Sequence, residues 1–282
     1  MRPVRGSIPW DCPAETTCFG TPPAFGGTGR NGDERRIKPP HPEGSLGLVV
    51  NHLVVLLPVL NEALGLRWVL ERLPTDELVA RNYRTSVLVV DGHSTDGSMS
   101  VADEHGVQVL VQTEAGKGSA IRQGFERALA MNADVVVMLD ADGTYAPGDM
   151  IRLVDRLEQW DVVIGDRLGG RIDDGAMTRL NFVGNHLLTW TATALYGHTT
   201  LDLCSGYWAM TASAITRMKL NSVSFELEAE MYASMVHHRV SFGYVPIRYS
   251  VRLGEAKLGS TADGWEILRK LITRKVFPTP AR

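Results

Sequence analysis

The chain has 282 residues, 44% of them hydrophobic, enough for one large α/β domain with a sizeable core. Its formal net charge of −3 excludes the basic footprint of a nucleic-acid binder, so any anionic ligand must be held by local charge. The three cysteines, Cys12, Cys18 and Cys204, form neither a metal-ligand pattern nor a disulfide framework, which points to a reducing, cytoplasmic setting.

Residues 1–47 are dense in Gly and Pro, show no sustained period and lack the apolar centre of a secretory signal; they read as a disordered or loosely packed leader. Order is expected from residue 48. The apolar run 48–57 reads as a buried strand ended by Pro58, and a helical pattern follows over 64–73. A second strand over 86–90 stops at Asp91. The stretch from Asp91 to Ser98 then forms a loop that enters a helix over 98–105, closed by Gly106. A third strand over 107–112 leads to Gly116-Lys117-Gly118 and a helix through Ala120, Ile121, Gly124, Phe125 and Ala128. The fourth strand, 134–139, is almost wholly apolar and ends at Asp140-Ala141-Asp142. This alternation predicts βαβ units and a mainly parallel sheet, with the acidic motifs at strand C-terminal ends where open α/β sheets bind ligands. Beyond Val162-Val163-Ile164-Gly165 come a long helix over 177–196, a segment from Asp202 to Met210, a helix around 225–237 and one or two strands within 240–251. No apolar run reaches about 18 residues, so no membrane-spanning helix is expected.

Asp140 and Asp142, one residue apart at the end of a buried strand, can share a hard divalent cation, Mg²⁺ or Mn²⁺, that bridges a diphosphate. Asp91, at the end of another strand, suits a nucleobase or ribose contact or an Asx turn, and Asp96 fits a ligand or a helix cap equally. Lys117, flanked by glycines, suits an anionic ligand or a mere helix start. That loop is no P-loop, because Val111 stands where the pattern requires glycine. It is no dinucleotide fingerprint either, because Ile121 stands where a small residue is required. Adjacent His237 and His238 point about 100° apart on a helix and cannot easily share a metal.

The segments Pro58-Val59-Leu60-Asn61-Glu62, Asp91 to Ser98, Gly116 to Ala128 and Asp140-Ala141-Asp142 occur in the order found in inverting family 2 glycosyltransferases. Over residues 53–258 the chain resembles the polyprenyl-phosphate sugar synthases, such as dolichyl-phosphate mannose synthase. The resemblance implies a GT-A fold, Rossmann-like with helices on both sheet faces, in a catalytic domain over 48–258. It implies a nucleotide sugar donor, GDP-mannose or UDP-glucose, and a polyprenyl or dolichyl phosphate acceptor. It gives the nucleoside to Pro58, Glu62 and Asp91, and the metal and diphosphate to Asp140 and Asp142. Gly165-Asp166-Arg167 is similar to the family's Gly-Ser-Arg, and Asp202 to Tyr207 to its Asp-x-x-Ser-Gly-Phe. The segment Arg252 to Leu258 resembles its Arg-x-Gly-x-Ser-Lys-Leu, which closes over the phosphates. Three residues depart from the pattern: Thr144 replaces a Gln, Trp208 an Arg and Ala256 a Ser. The first two are expected to border acceptor and sugar.

A diphosphate leaving group and a phosphate acceptor put several negative charges in one crevice, which Arg167, Arg252 and Lys257 can offset by charge-assisted hydrogen bonds. A phosphate acceptor, with its second pKa near ~6, is largely ionised at neutral pH and needs no strong base, leaving Asp202 an orienting role. A hydroxyl acceptor needs a base, and Asp202 is then the candidate. Among Glu226, Glu228 and Glu230, the resemblance turns Glu228 toward the acceptor. Residues 259–282 form a basic amphipathic helix and tail, with Trp265, Leu268, Leu271, Ile272 and Val276 on one side and Arg269, Lys270, Arg274 and Lys275 among them. Such a helix suits an anionic membrane interface or packing on the core. A soluble acceptor remains a second reading, and a sugar nucleotidyltransferase a third that lacks a Gly-x-Gly-Thr-Arg segment after the first strand.

Overall fold

The computed structural model describes residues 50–254 and 260–279, with backbone alone at 260–262. The expected leader, Ala256 and Lys257 lie outside the described residues. Seven strands form one sheet in the order β3-β2-β1-β4-β6-β5-β7. They are β1 (Asn51–Val59), β2 (Tyr83–Asp91), β3 (Gln108–Val111), β4 (Val135–Met138), β5 (Val162–Ile172), β6 (Trp208–Thr211) and β7 (Phe242–Tyr249). All neighbours pair in parallel except β6, which runs antiparallel to both β4 and β5. The helices are α1 (Ala63–Leu70), α2 (Thr75–Val79), α3 (Ser98–Glu104), α4 (Lys117–Ala130), α5 (Met150–Asp155), α6 (Arg179–Tyr196), α7 (Ala212–Arg217), α8 (Leu227–His237) and α9 (Ser260–Val276).

The alternation of side chains along each strand divides the core in two. Val54, Leu56, Leu88, Val90, Val136 and Met138 face one layer with residues of α4, α6, α7, α8 and α9. Leu53, Val55, Leu57, Val89, Val135 and Val137 face the opposite layer with residues of α1, α2, α3 and α5. Burial on both faces explains why β1 and β4 read as continuous apolar runs rather than alternating ones. Gly124 lets α4 lie against β1, since a Cβ there would fall 2.5 Å from Leu56 Cδ1.

Pro58 does not end the first strand, as its sequence position suggested; β1 runs through it, opposite Val90 of β2. Val59 accepts from Gly92 N on the β2 side and Leu56 from Leu139 N on the β4 side, so by alternation the missing N–H of Pro58 falls on the β4 side. The last β1–β4 pair is Leu56 with Met138, so the missing donor falls past the end of that ladder rather than inside it. Residues 240–251 yield one strand rather than two. The reversed strand β6 inserts between β4 and β5, joining the nucleotide-like half β3-β2-β1-β4 to β5 and β7.

Candidate active site

The chain enters β4 on the opposite side of β1 from β2 and β3, so the strand order reverses at β1, and a crevice opens at the strand C-terminal ends. The crevice belongs to a cavity of about 760 Å³. Pro58, Glu62, Lys117, Asp140, Asp142, Arg167 and Arg252 line it together, although they come from segments almost 200 residues apart in the chain.

Asp91 directs its carboxylate into its own loop, and Asp96 ties that loop to the start of α1. Asp91 accepts from His93 N at 3.0 Å and from Ser94 N at 3.1 Å, an Asx turn that holds His93 at φ 65°. Asp96 accepts from Ala63 N at 2.9 Å and from Ser98 N at 3.0 Å, stapling the starts of α1 and α3. Burial works against the Asp96 charge, but the Ser98 and Ala63 hydrogen bonds hold its carboxyl below the ordinary range. The cavity wall beside them is made by Pro58, Leu60, Gly92 and Gln112.

The Asp140 and Asp142 carboxylates each meet a cation. Asp140 Oδ1 lies 2.8 Å from Lys117 Nζ, and Asp142 Oδ2 lies 3.1 Å from Arg252 Nη2, which also reaches Glu62 Oε1 at 2.7 Å. Thr144 donates to Asp142 Oδ1 from its backbone N at 2.9 Å and its hydroxyl at 2.6 Å, so this departure from the family's Gln fixes the rotamer of Asp142. Burial raises the Asp142 carboxyl above its ordinary value, and the charge of Asp140 raises it further against the pull of Arg252. Two mutually repelling carboxylates in a desolvated crevice fit a divalent ion. Arg252 Nε is buried without a hydrogen-bond acceptor among the described residues, a donor suited to a phosphate oxygen. No cluster of three His, Cys, Asp or Glu side chains placed to hold a metal occurs among the described residues. A cation on Asp140 and Asp142 therefore has to complete its shell from diphosphate and water, as Mg²⁺ commonly does.

Behind this pair, Arg167 meets Asp202 through both Nε and Nη2 and lies over the Tyr249 ring, 5.3 Å from its centroid. The three glutamates at the start of α8 separate by function of place. Glu226 accepts from Val223 N and Ser224 N, Glu230 is buried against Arg274, and Glu228 alone turns into the cavity, 3.0 Å from Lys117 Nζ. Trp208, expected beside the sugar, is instead a core residue of β6 whose Nε1 donates to Ser205 O at 2.6 Å. Its indole replaces nothing at the cavity wall.

Met177, Leu180, Leu187 and Leu188 of the α6 region and Trp265, Ile267 and Leu268 of α9 form the remaining, apolar wall. Sequence reasoning placed none of the α6 residues at a site. A signal existed in the spacing of Leu180, Val183, Leu187 and Trp190, which puts four large apolar side chains on one helical face that is exposed in the structure. On α9 the apolar side divides: Leu271 is 0% exposed while Trp265 is 66% exposed, and Arg274, grouped with the surface cations from sequence, is buried.

Residues 54–218 match the model of the glycosyl transferase family 2. The chain belongs to that family. It is 37% identical to the glycosyltransferase AglJ of Haloferax volcanii over 80% of this chain and 73% of the relative. It is 30% identical to the undecaprenyl-phosphate mannosyltransferase of Micrococcus luteus over 75% of this chain and 89% of that one. Glucosyl-3-phosphoglycerate synthase of Mycobacterium tuberculosis, in its complex with Mn²⁺, UDP and glucosyl-3-phosphoglycerate, superposes with a TM-score of 0.63 at 20% identity, covering 82% of this chain and 81% of that one. The family 2 chain thus has the GT-A fold of a glycosyltransferase, and its acidic pair stands at the end of β4, beside the strand-order reversal.

Proposed function

We propose that this glycosyltransferase moves a hexose from a nucleotide sugar, GDP-mannose or UDP-glucose, to a polyprenyl phosphate at a membrane surface, with Mg²⁺ or Mn²⁺. The observation that carries the reading is the two-sided cavity, charged along Lys117, Asp140, Asp142 and Arg252 and apolar along α6 and α9. A soluble acceptor gives no reason for the apolar wall, whereas a lipid phosphate needs both sides. The undecaprenyl-phosphate relative supports the same class of acceptor. No helix among the described residues is long and apolar enough to cross a membrane, and the exposed faces of α6 and α9 suit contact from the cytoplasmic surface.

In this reading Pro58, Leu60, Gly92 and Gln112 receive the nucleoside, with Asp91 and Asp96 shaping the loop behind them. Asp140 and Asp142 hold the divalent cation, which supplies charge neutralisation for the leaving diphosphate. Arg252 and Lys117 donate to the same phosphates. The acceptor phosphate attacks the anomeric carbon from the face opposite the diphosphate; one C–O bond forms as the other breaks, with inversion. An acceptor with pKa near ~6 attacks as the anion, so no side chain has to remove a proton. Asp202, held by Arg167, positions that arginine near the acceptor rather than acting as a base.

Purified protein with Mn²⁺ or Mg²⁺ and a panel of nucleotide sugars, with and without polyprenyl phosphate, tests this by release of nucleoside diphosphate. Lipid-dependent release that Asp142→Ala abolishes is expected. Release that a soluble phosphorylated acid stimulates and lipid does not would retain the transferase and overturn the acceptor.

A further inference from the structure

The loop before α4 is rooted by backbone contact. A Cβ on Gly116, whose φ is 107°, would fall 2.1 Å from Val223 O, and one on Gly118 would fall 2.7 Å from Ser222 O. Lys117 therefore stands on a fixed base, and its four-carbon stem is the part free to change. Its ammonium is shared between Asp140 Oδ1 at 2.8 Å and Glu228 Oε1 at 3.0 Å, with only 18% of the side chain exposed. Burial alone would lower the Lys117 pKa, but Asp140 and Glu228 raise it above the ordinary value, which keeps the ammonium charged.

Asp140 Oδ1 cannot give its full charge to an ammonium and to a divalent ion at once. Glu228 touches no other cation in the structure's ion pairs among the described residues, so it can keep the ammonium when Asp140 is taken by a divalent ion. We propose that Lys117 is a displaceable counter-cation: in the metal-free protein it neutralises Asp140 and Glu228, and it yields Asp140 when a divalent ion enters, turning to the diphosphate. This rests on the metal-dependent reading above. Its consequence is that Lys117 opposes metal alone and favours metal with nucleotide, so the two bind with positive coupling that is reciprocal.

Mn²⁺ binding to the full chain, followed by the electron paramagnetic resonance of free Mn²⁺ with and without saturating UDP or GDP, tests this without turnover. Lys117→Met is expected to bind Mn²⁺ alone about tenfold more tightly than wild type and to gain less from nucleotide than wild type does. Glu228→Gln, which leaves Lys117 to Asp140, is expected to weaken Mn²⁺ alone by a similar factor. Lys117→Met with Glu228→Gln keeps the site's net charge and removes the buried ion pair as a unit; it is expected to bind Mn²⁺ more tightly than wild type, where a purely long-range charge effect predicts no change. The double variant also answers the question if Lys117→Met alone does not fold. Unchanged or weaker Mn²⁺ binding in the double variant, with nucleotide-assisted binding intact in wild type, overturns the counter-cation role and leaves the metal reading standing. Wild type that takes up no Mn²⁺ beyond the level of Asp142→Ala, even with nucleotide, overturns both.

Discussion

The Arg167 guanidinium meets Asp202 edge-on, Nε to Oδ2 at 2.7 Å and Nη2 to Oδ1 at 2.8 Å, while the Arg167 backbone N–H adds a third bond to Oδ2 at 3.0 Å. Asp202 is fully buried, so taking a proton there would strand the guanidinium. Asp202→Ala is expected to destabilise the protein by about 3–5 kcal/mol, read as a lower urea midpoint at unchanged slope. Arg167→Lys keeps the charge and loses the fork, and is expected to lose transfer activity despite that charge. Loss of an ionisation from the pH–rate profile in Asp202→Asn, with stability intact, would instead mark Asp202 as a base.

Thr144 gives Asp142 Oδ1 two hydrogen bonds and leaves Oδ2 to Arg252. Thr144→Val keeps the volume and removes the hydroxyl donor, so a buried carboxylate oxygen loses one partner, worth about 1–3 kcal/mol. The expected result is weaker Mn²⁺ binding by about tenfold, with Thr144→Ser close to wild type. Equal Mn²⁺ affinity in the valine variant would show that the backbone N–H alone orients Asp142.

Asp142 also predicts a pH dependence. Its folded carboxyl lies above the ordinary value because burial and Asp140 disfavour the charge. A carboxyl raised in the folded state binds more protons there than in the unfolded chain, so its charge destabilises the fold as pH rises from the ordinary value through the folded one. Metal-free Asp142→Asn is therefore expected to melt higher than wild type at pH 7, with the gain shrinking as pH falls toward about 4. A divalent ion should raise the wild-type Tm and not that of the variant. Thermal melts at several pH values with and without Mn²⁺ check both statements, and a variant less stable than wild type at pH 7 would contradict them.

How much of this was legible in the chain differs from motif to motif for physical reasons. Asp140 and Asp142 were readable because a strand buried on both faces leaves an apolar run up to the turn that carries them. That Lys117 and Arg252 would neutralise them directly was not, because Arg252 reaches Asp142 and Glu62 from a remote stretch of chain, 190 positions from Glu62, and no local period reports such a meeting. Asp96 read as ligand or cap with equal force and Asp91 more as a ligand than a turn, since a free carboxylate serves either; the backbone partners they take in the structure are those of a turn for Asp91 and a cap for Asp96. Pro58 was read as a stop because a missing N–H normally breaks a ladder, and only the early end of β4 removes that cost. Trp208 was read through the family pattern, while its burial follows from the β6 register between β4 and β5.

Arg274 makes a stability prediction of its own. It is buried against Glu230, to which Nε donates at 2.6 Å, and its guanidinium also meets Asn221. Glu230 accepts in turn from the backbone of Asn221 and Ser222, so one carboxylate ties α9 to α8 and to the segment beneath Gly118. Arg274→Ala leaves that charge buried with weaker compensation and is expected to cost about 3–5 kcal/mol. Arg269→Ala, on the exposed side of the same helix, should change stability by less than about 0.5 kcal/mol. Chemical denaturation of the two variants side by side separates a strut from a surface charge.

The exposed faces of α6 and α9 supply the last prediction. Trp190 is 68% exposed in line with Leu180, Val183 and Leu187, and Trp265 stands on the outer side of α9 with Ile272 and Val276. Arg269 and Lys275 are exposed on α9 close to that apolar side, the arrangement by which an interfacial helix meets anionic lipid. Trp190→Glu with Trp265→Glu inserts two carboxylates where the indoles would enter the interface. Binding to vesicles containing phosphatidylglycerol is expected to fall at least about tenfold, with little change in Tm because neither residue is in the core. Salt should weaken wild-type binding by screening the cationic flank and leave the indole contribution in place. Because Trp265 also lines the cavity, release of nucleoside diphosphate with a short-chain, water-soluble polyprenyl phosphate should fall in the double variant, but by less than turnover on vesicle-borne acceptor. Full vesicle binding in that variant would move the membrane contact away from α6 and α9, and equal losses on both acceptors would place the two tryptophans inside the acceptor site itself.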